Sequence, residues 1–325
     1  MIVRWGLGEL SDALGEAGVA KQLVVASARW DGLALPDGPR WREVPSERVD
    51  EAASGCARCD GVLAVGGGSA IDLGKAISAA TGLPLVSVPT TYSGAEWTTY
   101  FGVRDPERKM RGGGSGAHPM AIVYEPELTL DLPRETTVGT AMNALAHCAE
   151  ALYADGHNPE ADEHALAGAC LISEWLPRVV ESPRDLEART ELLRGACHAG
   201  AALAGSMLAL AHALAQAVGG ATGLPHGTLN GIVLPPVLRF NAQFVPDAVS
   251  RFGEAIGAPD DPATRVEALT ALGGPTRLRD LGVREGDLSE FAAAAAQRGG
   301  NTPARTWQAR RRSSGCCAKP GRRHR

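Results

Sequence analysis

The sequence has no apolar run that approaches the roughly 18 residues a membrane-spanning helix needs. Its first residues, Met1 to Gly8, lack the basic, apolar and small-residue regions of a secretory signal peptide. Aromatic residues make up only 5% of the chain, whereas glycine is abundant, and this composition favours closely packed helices and loops. We therefore expect a cytoplasmic protein with no membrane partner.

Cysteine is also sparse, and its count is odd. Seven cysteines in 325 residues argue against a disulfide framework. Cys56 and Cys59 form a C-x-x-C, but no second pair stands at the spacing of a zinc site. We expect neither a metal site nor a redox site at this pair.

Acidic residues are absent from the C-terminal segment that begins at Phe291, which carries nine Lys and Arg residues. The net charge of the whole chain is −5, so the remainder carries about −14. A body this acidic repels phosphate backbones, which argues against nucleic acid as the main partner. Residues 298–325 are predicted to be an atypical basic tail, either frameshifted or disordered, with a nucleic-acid-binding tail as the alternative.

The first part of the chain alternates short β-rich runs with a helical stretch. Four runs read as buried parallel strands because each is short, apolar and bounded by turn residues. A helix at 70–80 lies between two of them, and this order predicts an open parallel sheet with a right-handed crossover. The predicted strands cover residues 22–26, 61–65, 83–88 and 121–124.

After residue 132 the pattern becomes helical throughout. Long Ala- and Leu-rich stretches are separated by Pro, Gly and Asn signals, which favours an all-α region. We predict an α/β domain over residues 1–130 and a helical domain over residues 131–297. The predicted helices cover residues 136–154, 160–180, 186–204 and 206–218, with further helices towards 290.

A glycine-rich turn follows one predicted strand and opens the helix after it: Gly66, Gly67, Gly68 and Ser69. Glycine lets the backbone approach a ligand closely, and the free N–H groups of a helix N-terminus suit a pyrophosphate. The pattern is not G-x-G-x-x-G, so a mere tight turn is the alternative. A hydroxyl-rich segment, residues 89–94, leaves the next strand at the same sheet edge, and two such loops together predict a ligand cleft.

Four polar side chains stand at helical spacing in the second half, and a fifth follows in a loop. Asn143 and His147 share one helix face, and so do His212 and Gln216. His226 follows in a proline-preceded loop. Each could be a packed structural residue; if they converge, they nearly form a metal site, but Asn and Gln are weak ligands for transition metals.

Three segments of the chain resemble the iron-containing alcohol dehydrogenase superfamily, and more narrowly its maleylacetate reductase branch. They are AVGGGSAIDLGKAI at 64–77, LPLVSVPTTYSGAEWT at 83–98 and MNALAHCAEALYADGHNP at 142–159. Residues 123–133, 178–189 and 224–241 support them. The resemblance implies a dinucleotide-binding α/β domain, an all-α C-terminal domain and a cleft between them, the fold shared with dehydroquinate synthase. It also implies NADH or NADPH as cofactor, a small-molecule substrate and a homodimer.

The resemblance implies a set of cofactor-binding residues. Ser27 stands near the end of the first predicted strand, where metal-dependent relatives often have an Asp that binds ribose hydroxyls. With Arg29 nearby, this change permits a 2′-phosphate and hence NADPH as well as NADH. The triglycine turn and Ser69 are expected to hold the pyrophosphate. Six further residues fall on the cofactor side of the cleft: Asp72, Lys75, Thr90, Thr91, Thr98 and Lys109.

The implied metal site departs from the family pattern. Metal-dependent relatives have Asp, His, His and His where this chain has Asn143, His147, Gln216 and His226. The maleylacetate reductase branch also has Asn at the first position and is generally regarded as metal-independent. We therefore expect no metal; if one binds, His147 and His226 would hold it. Two further departures remove groups that could bind a dicarboxylate substrate. The compared reductases have a His where this chain has Ala211 and another where it has Asn230.

The resemblance implies reduction of maleylacetate to 3-oxoadipate by hydride transfer, in the degradation of aromatic compounds. His147, His212 and His226 are the expected proton donors, and Asn143 and Gln216 are expected to hydrogen-bond the substrate. The alternative is an alcohol dehydrogenase that acts on another aldehyde or ketone. A dehydroquinate synthase-like lyase and a non-catalytic nucleotide-binding remnant are further alternatives.

Overall fold

A computed structural model describes residues 1–297. Residues 298–325, including the predicted basic tail, lie outside the described residues. Among residues 1–297, no helix combines the length and the apolar character needed to cross a bilayer.

The first part of the chain forms a six-stranded parallel sheet with the order β1-β8-β5-β4-β2-β3. The four predicted strands are present and parallel, which confirms that part of the sequence interpretation. Two strands were not predicted because they are short and contain polar residues, and neither was the antiparallel hairpin β6–β7. The strands are β1 (Ile2–Trp5), β2 (Gln22–Val25), β3 (Arg40–Trp41), β4 (Gly61–Gly66), β5 (Pro84–Pro89), β6 (Phe101–Arg104), β7 (Met110–Gly114) and β8 (His118–Tyr124).

Helices cover both faces of the sheet and form all the regular structure described after residue 133, apart from short 3-10 turns. The predicted α/β part followed by an all-α part is thereby confirmed, although no observation fixes the proposed domain boundary near residue 130. The helices are α1 (Leu10–Glu16), α2 (Val49–Ser54), α3 (Gly68–Thr81), α4 (Arg134–Ala151), α5 (Pro159–Glu181), α6 (Leu186–Ala204), α7 (Leu210–Thr222), α8 (His226–Asn241), α9 (Pro246–Ala255), α10 (Pro262–Ala271) and α11 (Leu288–Gln297).

Strand β4 shows why the sheet is buried on both faces. Leu63 and Val65 pack with the core beneath α1, while Val62 and Ala64 point to the opposite face and pack with α3. Successive side chains of a strand alternate between faces, so a continuous apolar run requires cover on each side. Each buried Val or Leu contributes about 1.5–3 kcal/mol. This packing holds the carboxyl ends of β4 and β5 at one fixed edge.

Candidate functional site

The site is built on the carboxyl ends of two neighbouring strands. β4 and β5 are paired in parallel up to Gly66 and Pro89, and the N–H of Thr90 donates to the carbonyl of Gly66 at 3.0 Å. Gly66 has φ +146°, a conformation that favours glycine. The glycine-rich turn and the hydroxyl-rich segment 89–94 therefore leave the sheet side by side, as the sequence predicts.

The glycine-rich turn lies close against that segment, and at Gly67 it has no room for a side chain. A Cβ placed on Gly67 would lie 2.9 Å from Cγ2 of Thr91, and one on Gly68 would lie 3.6 Å from Oγ of Ser93. α3 begins at Gly68, and the first N–H groups of a helix have no partner within the helix. This cradle of bare backbone fits a pyrophosphate. Trp30, which the sequence interpretation missed, borders it: its Nε1 lies 3.9 Å from a Cβ placed on Gly66.

Lys75 and Asp72 tie α3 to the segment that leads into β6. The buried ammonium of Lys75 donates to the carbonyls of Ala95 and Tyr100 at 2.8 and 2.7 Å, and it lies 2.9 Å from Oδ1 of Asp72. Thr98 adds a contact to the same ammonium at 3.3 Å. These contacts give Lys75, Asp72 and Thr98 a structural task, and their predicted cofactor contacts stay predictions.

Two other predicted cofactor residues lie at the surface or near it. Lys109 belongs to the connection between β6 and β7, and its exposed ammonium pairs with Glu107 at 2.6 Å. Ser27 follows β2 and is half-buried. Arg29 lies exposed beside it, with its guanidinium 5.1 Å from the ring centre of Trp30. A cation therefore stands close to the residue that borders Gly66.

The structure joins the helical part to the sheet edge through Asn143 on α4. Its Nδ2 donates to the carbonyl of Ser93 at 2.9 Å, and its Oδ1 accepts from Nδ2 of Asn230 at 2.6 Å. Nδ2 of Asn230 also lies 3.1 Å from Nε2 of His226. Both amides are buried. Asn143 thus lies beside the loop that meets the triglycine turn, and a chain of amides connects it to His226.

Three histidines from three helices converge next to these amides. The rings of His147 and His212 stack at 4.6 Å between centres with an angle of 12°, and His226 lies 5.6 Å from His212. Nδ1 of His147 and Nε2 of His212 are buried and have no hydrogen-bond partner among the described residues. Open ring nitrogens at this place suit contact with a substrate. Gln216 lies one turn beyond His212 on α7 and is half-buried.

The environment disfavours a positive charge on two of these rings. Burial lowers the pKa of His147 well below its ordinary value, and the neighbouring His212 and His226 lower it further. Burial, His212 and the Arg104 guanidinium together lower the pKa of His226 to about 3. Both imidazoles are therefore neutral near pH 7 and can act as hydrogen-bond donors or acceptors there.

Glu150, which the sequence interpretation did not single out, is the one carboxylate that contacts the histidine cluster among the described residues. It lies three residues after His147 on α4, and it is fully buried. Its Oε2 lies 2.7 Å from Nδ1 of His212. An acidic residue inside an otherwise Ala-rich helix was the only available signal, because its partner lies about 60 residues away in the sequence.

The donor set does not fit iron. The amide of Asn143 is engaged at both ends, and neutral amides are weak ligands for Fe²⁺. The stacked rings of His147 and His212 turn their faces to each other, whereas a metal needs lone pairs that converge in the ring planes. Within residues 1–297, no three His, Cys, Asp or Glu side chains are grouped so that they could hold a metal ion.

Similarity to known proteins covers most of the chain. Maleylacetate reductase of Pseudomonas knackmussii is 40% identical over 83% of this chain and 76% of its own length. The crystal structure of maleylacetate reductase from a Rhizobium species is 30% identical, has a TM-score of 0.84 and aligns with 93% of this chain and 91% of its own. Sulfoacetaldehyde reductase of Bifidobacterium kashiwanohense, solved in complex with NAD⁺, is 25% identical with a TM-score of 0.80 and aligns with 93% of this chain and 92% of its own.

Two family models match the two parts of the chain. The iron-containing alcohol dehydrogenase model matches residues 41–126, and the model for the C-terminal part of the same family matches residues 137–310. Together with the relatives above, they confirm the resemblance seen in the sequence. This chain belongs to the iron-containing alcohol dehydrogenase family of oxidoreductases, in its maleylacetate reductase branch.

Proposed function

We propose that this protein is an NAD(P)H-dependent reductase that converts maleylacetate to 3-oxoadipate without a metal ion. The observation that carries the proposal is the cluster of three imidazoles beside the amide of Asn143, which makes two hydrogen bonds and stands where metal-dependent relatives have an Asp ligand. Relatives with this activity match most of the chain at up to 40% identity. The substrate would bind between parts 1–130 and 131–297, which we propose as the two domains.

The residues of the triglycine turn would hold the cofactor. Gly66, Gly67, Gly68 and Ser69 offer backbone N–H groups at the start of α3, where the helix dipole favours a diphosphate. Reduced nicotinamide, when bound, supplies a hydride from its C4 position. Ser27 brings no carboxylate to repel a 2′-phosphate and Arg29 would attract one, so we expect NADPH to be accepted alongside NADH.

The helical side would stabilise the charge that the reduction creates. Hydride addition to a C=C bond conjugated to a carbonyl places negative charge on the carbonyl oxygen, and each donor aimed at it lowers the barrier by about 3 kcal/mol. Nδ1 of His147, which is buried and has no partner among the described residues, is the ring nitrogen placed to donate here. The second lone pair on Oδ1 of Asn143 is a further point of contact for the substrate. One imidazole then delivers a proton to carbon.

We expect the purified protein to oxidise NADPH or NADH when maleylacetate is added, and we expect EDTA to leave the rate unchanged. The reason is that imidazoles and amides, not a metal, would polarise the substrate. Absorbance at the nicotinamide band follows the reaction, and metal analysis of chelator-free protein accompanies it. Turnover of aldehydes but not of maleylacetate, lost with EDTA, would instead identify a metal-dependent alcohol dehydrogenase that holds its ion through His147 and His226.

The tight packing of the glycine-rich turn against Thr91 predicts that a side chain at Gly67 weakens cofactor binding. Gly67→Ala should weaken NADPH binding about tenfold, because the new methyl would press on Cγ2 of Thr91 and displace the turn by tenths of an ångström. Fluorescence titration of NADPH measures the Kd. Gly220→Ala on α7 is the matched control, since a Cβ there meets no atom within 4 Å. Equal Kd values for both variants would exclude the turn as the pyrophosphate site.

A further inference from the structure

Glu150 is a buried carboxylate without a cationic partner. Among residues 1–297, no Lys or Arg forms an ion pair with it, and His212 is its one titratable contact within ion-pair distance. Three backbone N–H groups at the start of α7 donate to it instead, those of Ala209 at 2.8 Å, Ala211 at 2.5 Å and His212 at 3.3 Å. A buried charge is costly unless it is paired, so these bonds and the positive end of α7 are what stabilise it.

A neutral side chain could cap a helix equally well, as Asn158 does for α5. The difference at Glu150 is the ring that it contacts. A carboxylate only accepts hydrogen bonds, so Nδ1 of His212, at 2.7 Å, must carry the proton between them. The second nitrogen, Nε2, is then fixed as the one that exchanges a proton with its surroundings. That atom is buried, has no partner among the described residues and belongs to the ring stacked on His147.

We propose that Glu150 is a positioning residue that fixes the Nδ1–H tautomer of His212 and thereby makes His212 the proton donor of the reduction. This inference rests on the proposed function. It assigns different tasks to the three imidazoles: the carboxylate balances a positive charge on His212, whereas His147 and His226 are neutral hydrogen-bonding groups.

The protons and electrons of the reduction balance among the nicotinamide, the substrate and His212. The hydride forms a C–H bond at one alkene carbon, and the alkene electrons move to the carbonyl to give an enolate. His212, in its Nδ1–H form, first takes up a proton from solvent at Nε2 and then delivers it to the adjacent carbon, which returns the ring to the Nδ1–H tautomer. Nicotinamide is oxidised and the C=C bond is reduced. Glu150 accepts the hydrogen bond from Nδ1 of His212 throughout and gives up or takes up no proton in the transfer.

The test is Glu150→Gln in the intact protein. Gln can keep the hydrogen bonds from the backbone N–H groups of Ala211 and His212 if its oxygen takes the place of Oε1. Its NH₂ group then faces Nδ1 of His212 and donates to it. Nδ1 can no longer carry the ring proton, which moves to Nε2. We expect ¹⁵N spectra of histidine-labelled protein to show His212 as the Nδ1–H tautomer in the parent and as Nε2–H in the variant. We also expect kcat to fall about 10- to 100-fold, with KM for maleylacetate and NADPH within threefold.

Asp185→Asn is the matched control. Asp185 caps α6 by accepting from the N–H of Ala188 at 3.0 Å, and it forms no hydrogen bond or ion pair with the histidine cluster among the described residues. The same change from carboxylate to amide should leave both kcat and the His212 spectrum as in the parent. If kcat of the control falls as far as that of Glu150→Gln, loss of a negative charge at a helix N-terminus explains the effect and the proposal is wrong.

Two further measurements test the proposal even if Glu150→Gln folds poorly. The parent spectrum alone decides the tautomer, and an Nε2–H tautomer there overturns the proposal. His212→Gln in an unchanged Glu150 background should lower kcat as far as Glu150→Gln, and the double variant should fall no further than threefold below His212→Gln, because Glu150 acts through His212. An additive loss would show that Glu150 has a role independent of His212, which would contradict the proposal.

The same measurements separate this proposal from the proposed function. If His212 of the parent protein is the Nδ1–H tautomer but the protein does not turn over maleylacetate, the proposed function is wrong, while the hydrogen bond between Glu150 and His212 is still supported.

Discussion

Lys75→Met is expected to lower the free energy of unfolding by about 3–4 kcal/mol, the largest loss that we expect from a single substitution outside the histidine cluster. The side chain is 1% exposed, and its ammonium is bonded to two main-chain carbonyls and one carboxylate. Methionine fills the same volume but donates nothing. The carbonyls of Ala95 and Tyr100 would lose their donor, at about 1–3 kcal/mol for each buried group.

The loss stays below the sum of these contributions for two reasons. The side chain of Asp72 is one-quarter exposed, so water can solvate it once its cation is gone. Tyr100 lies at the surface, which lets its carbonyl turn towards solvent. The segment between β5 and β6 should loosen most, because Lys75 and Asp72 hold it from the same helix.

Lys109→Met is the matched control, since it removes the same charge from another predicted cofactor residue. Its side chain is 61% exposed and pairs with Glu107, which is 72% exposed, so no measurable change in the free energy of unfolding is expected. Urea unfolding of the two variants makes the comparison. A Lys75→Met protein as stable as the parent but with weaker NADPH binding would show that Lys75 serves the cofactor directly and that its main-chain bonds matter little.

The sequence is sufficient for the sheet edge and for the helices that carry the site. Strands 61–65 and 83–88 are recognisable because a central parallel strand must be apolar on both faces, and the glycine turn stands directly after the first of them. The spacing of Asn143 and His147 also fixes their common helix face. These features depend on residues that are close together in the chain, where period and turn chemistry are informative.

Contacts between distant segments could not be predicted from the sequence. The stretch 206–218 predicts a helix that starts at 206, yet α7 starts at Leu210, because Glu150 on α4 accepts the N–H groups that open it. No local pattern reveals that partner. The hydrogen bond between Asn143 and Asn230 is equally hidden, since it joins residues 87 positions apart. A spacing argument could place the side chains on helix faces but could not show which of them meet.

Acidification is expected to destabilise the protein by about 3 kcal/mol between pH 7 and pH 5, which is the second large effect. It follows mainly from the neutral rings of His147 and His226, and His198, whose pKa burial also lowers, adds a smaller share. Their pKa values are lowered in the fold, that of His226 to about 3, whereas an unfolded histidine has a pKa near 6.5. As the pH falls below that value, the unfolded chain takes up protons that the folded chain does not bind, so the free energy of unfolding decreases.

The expected slope comes from the number of such rings. One histidine that is protonated only in the unfolded state changes the free energy of unfolding by about 1.4 kcal/mol per pH unit. His147 should contribute this fully because it is 5% exposed. His226 is half-buried, and screening by water reduces its share. Above pH 7 the rings are neutral in both states, and their contribution becomes independent of pH.

Urea unfolding at several pH values measures the slope, and His226→Gln tests its origin. This variant removes a titrating ring from the cluster, so the loss of stability between pH 7 and pH 5 should shrink by about 1 kcal/mol. His118→Gln, which changes an exposed histidine on β8, is the control and should keep the parental slope. If the His226→Gln slope equals that of the parent, His226 binds its proton in the folded protein, and the description of it as a neutral group beside His212 and Arg104 is wrong.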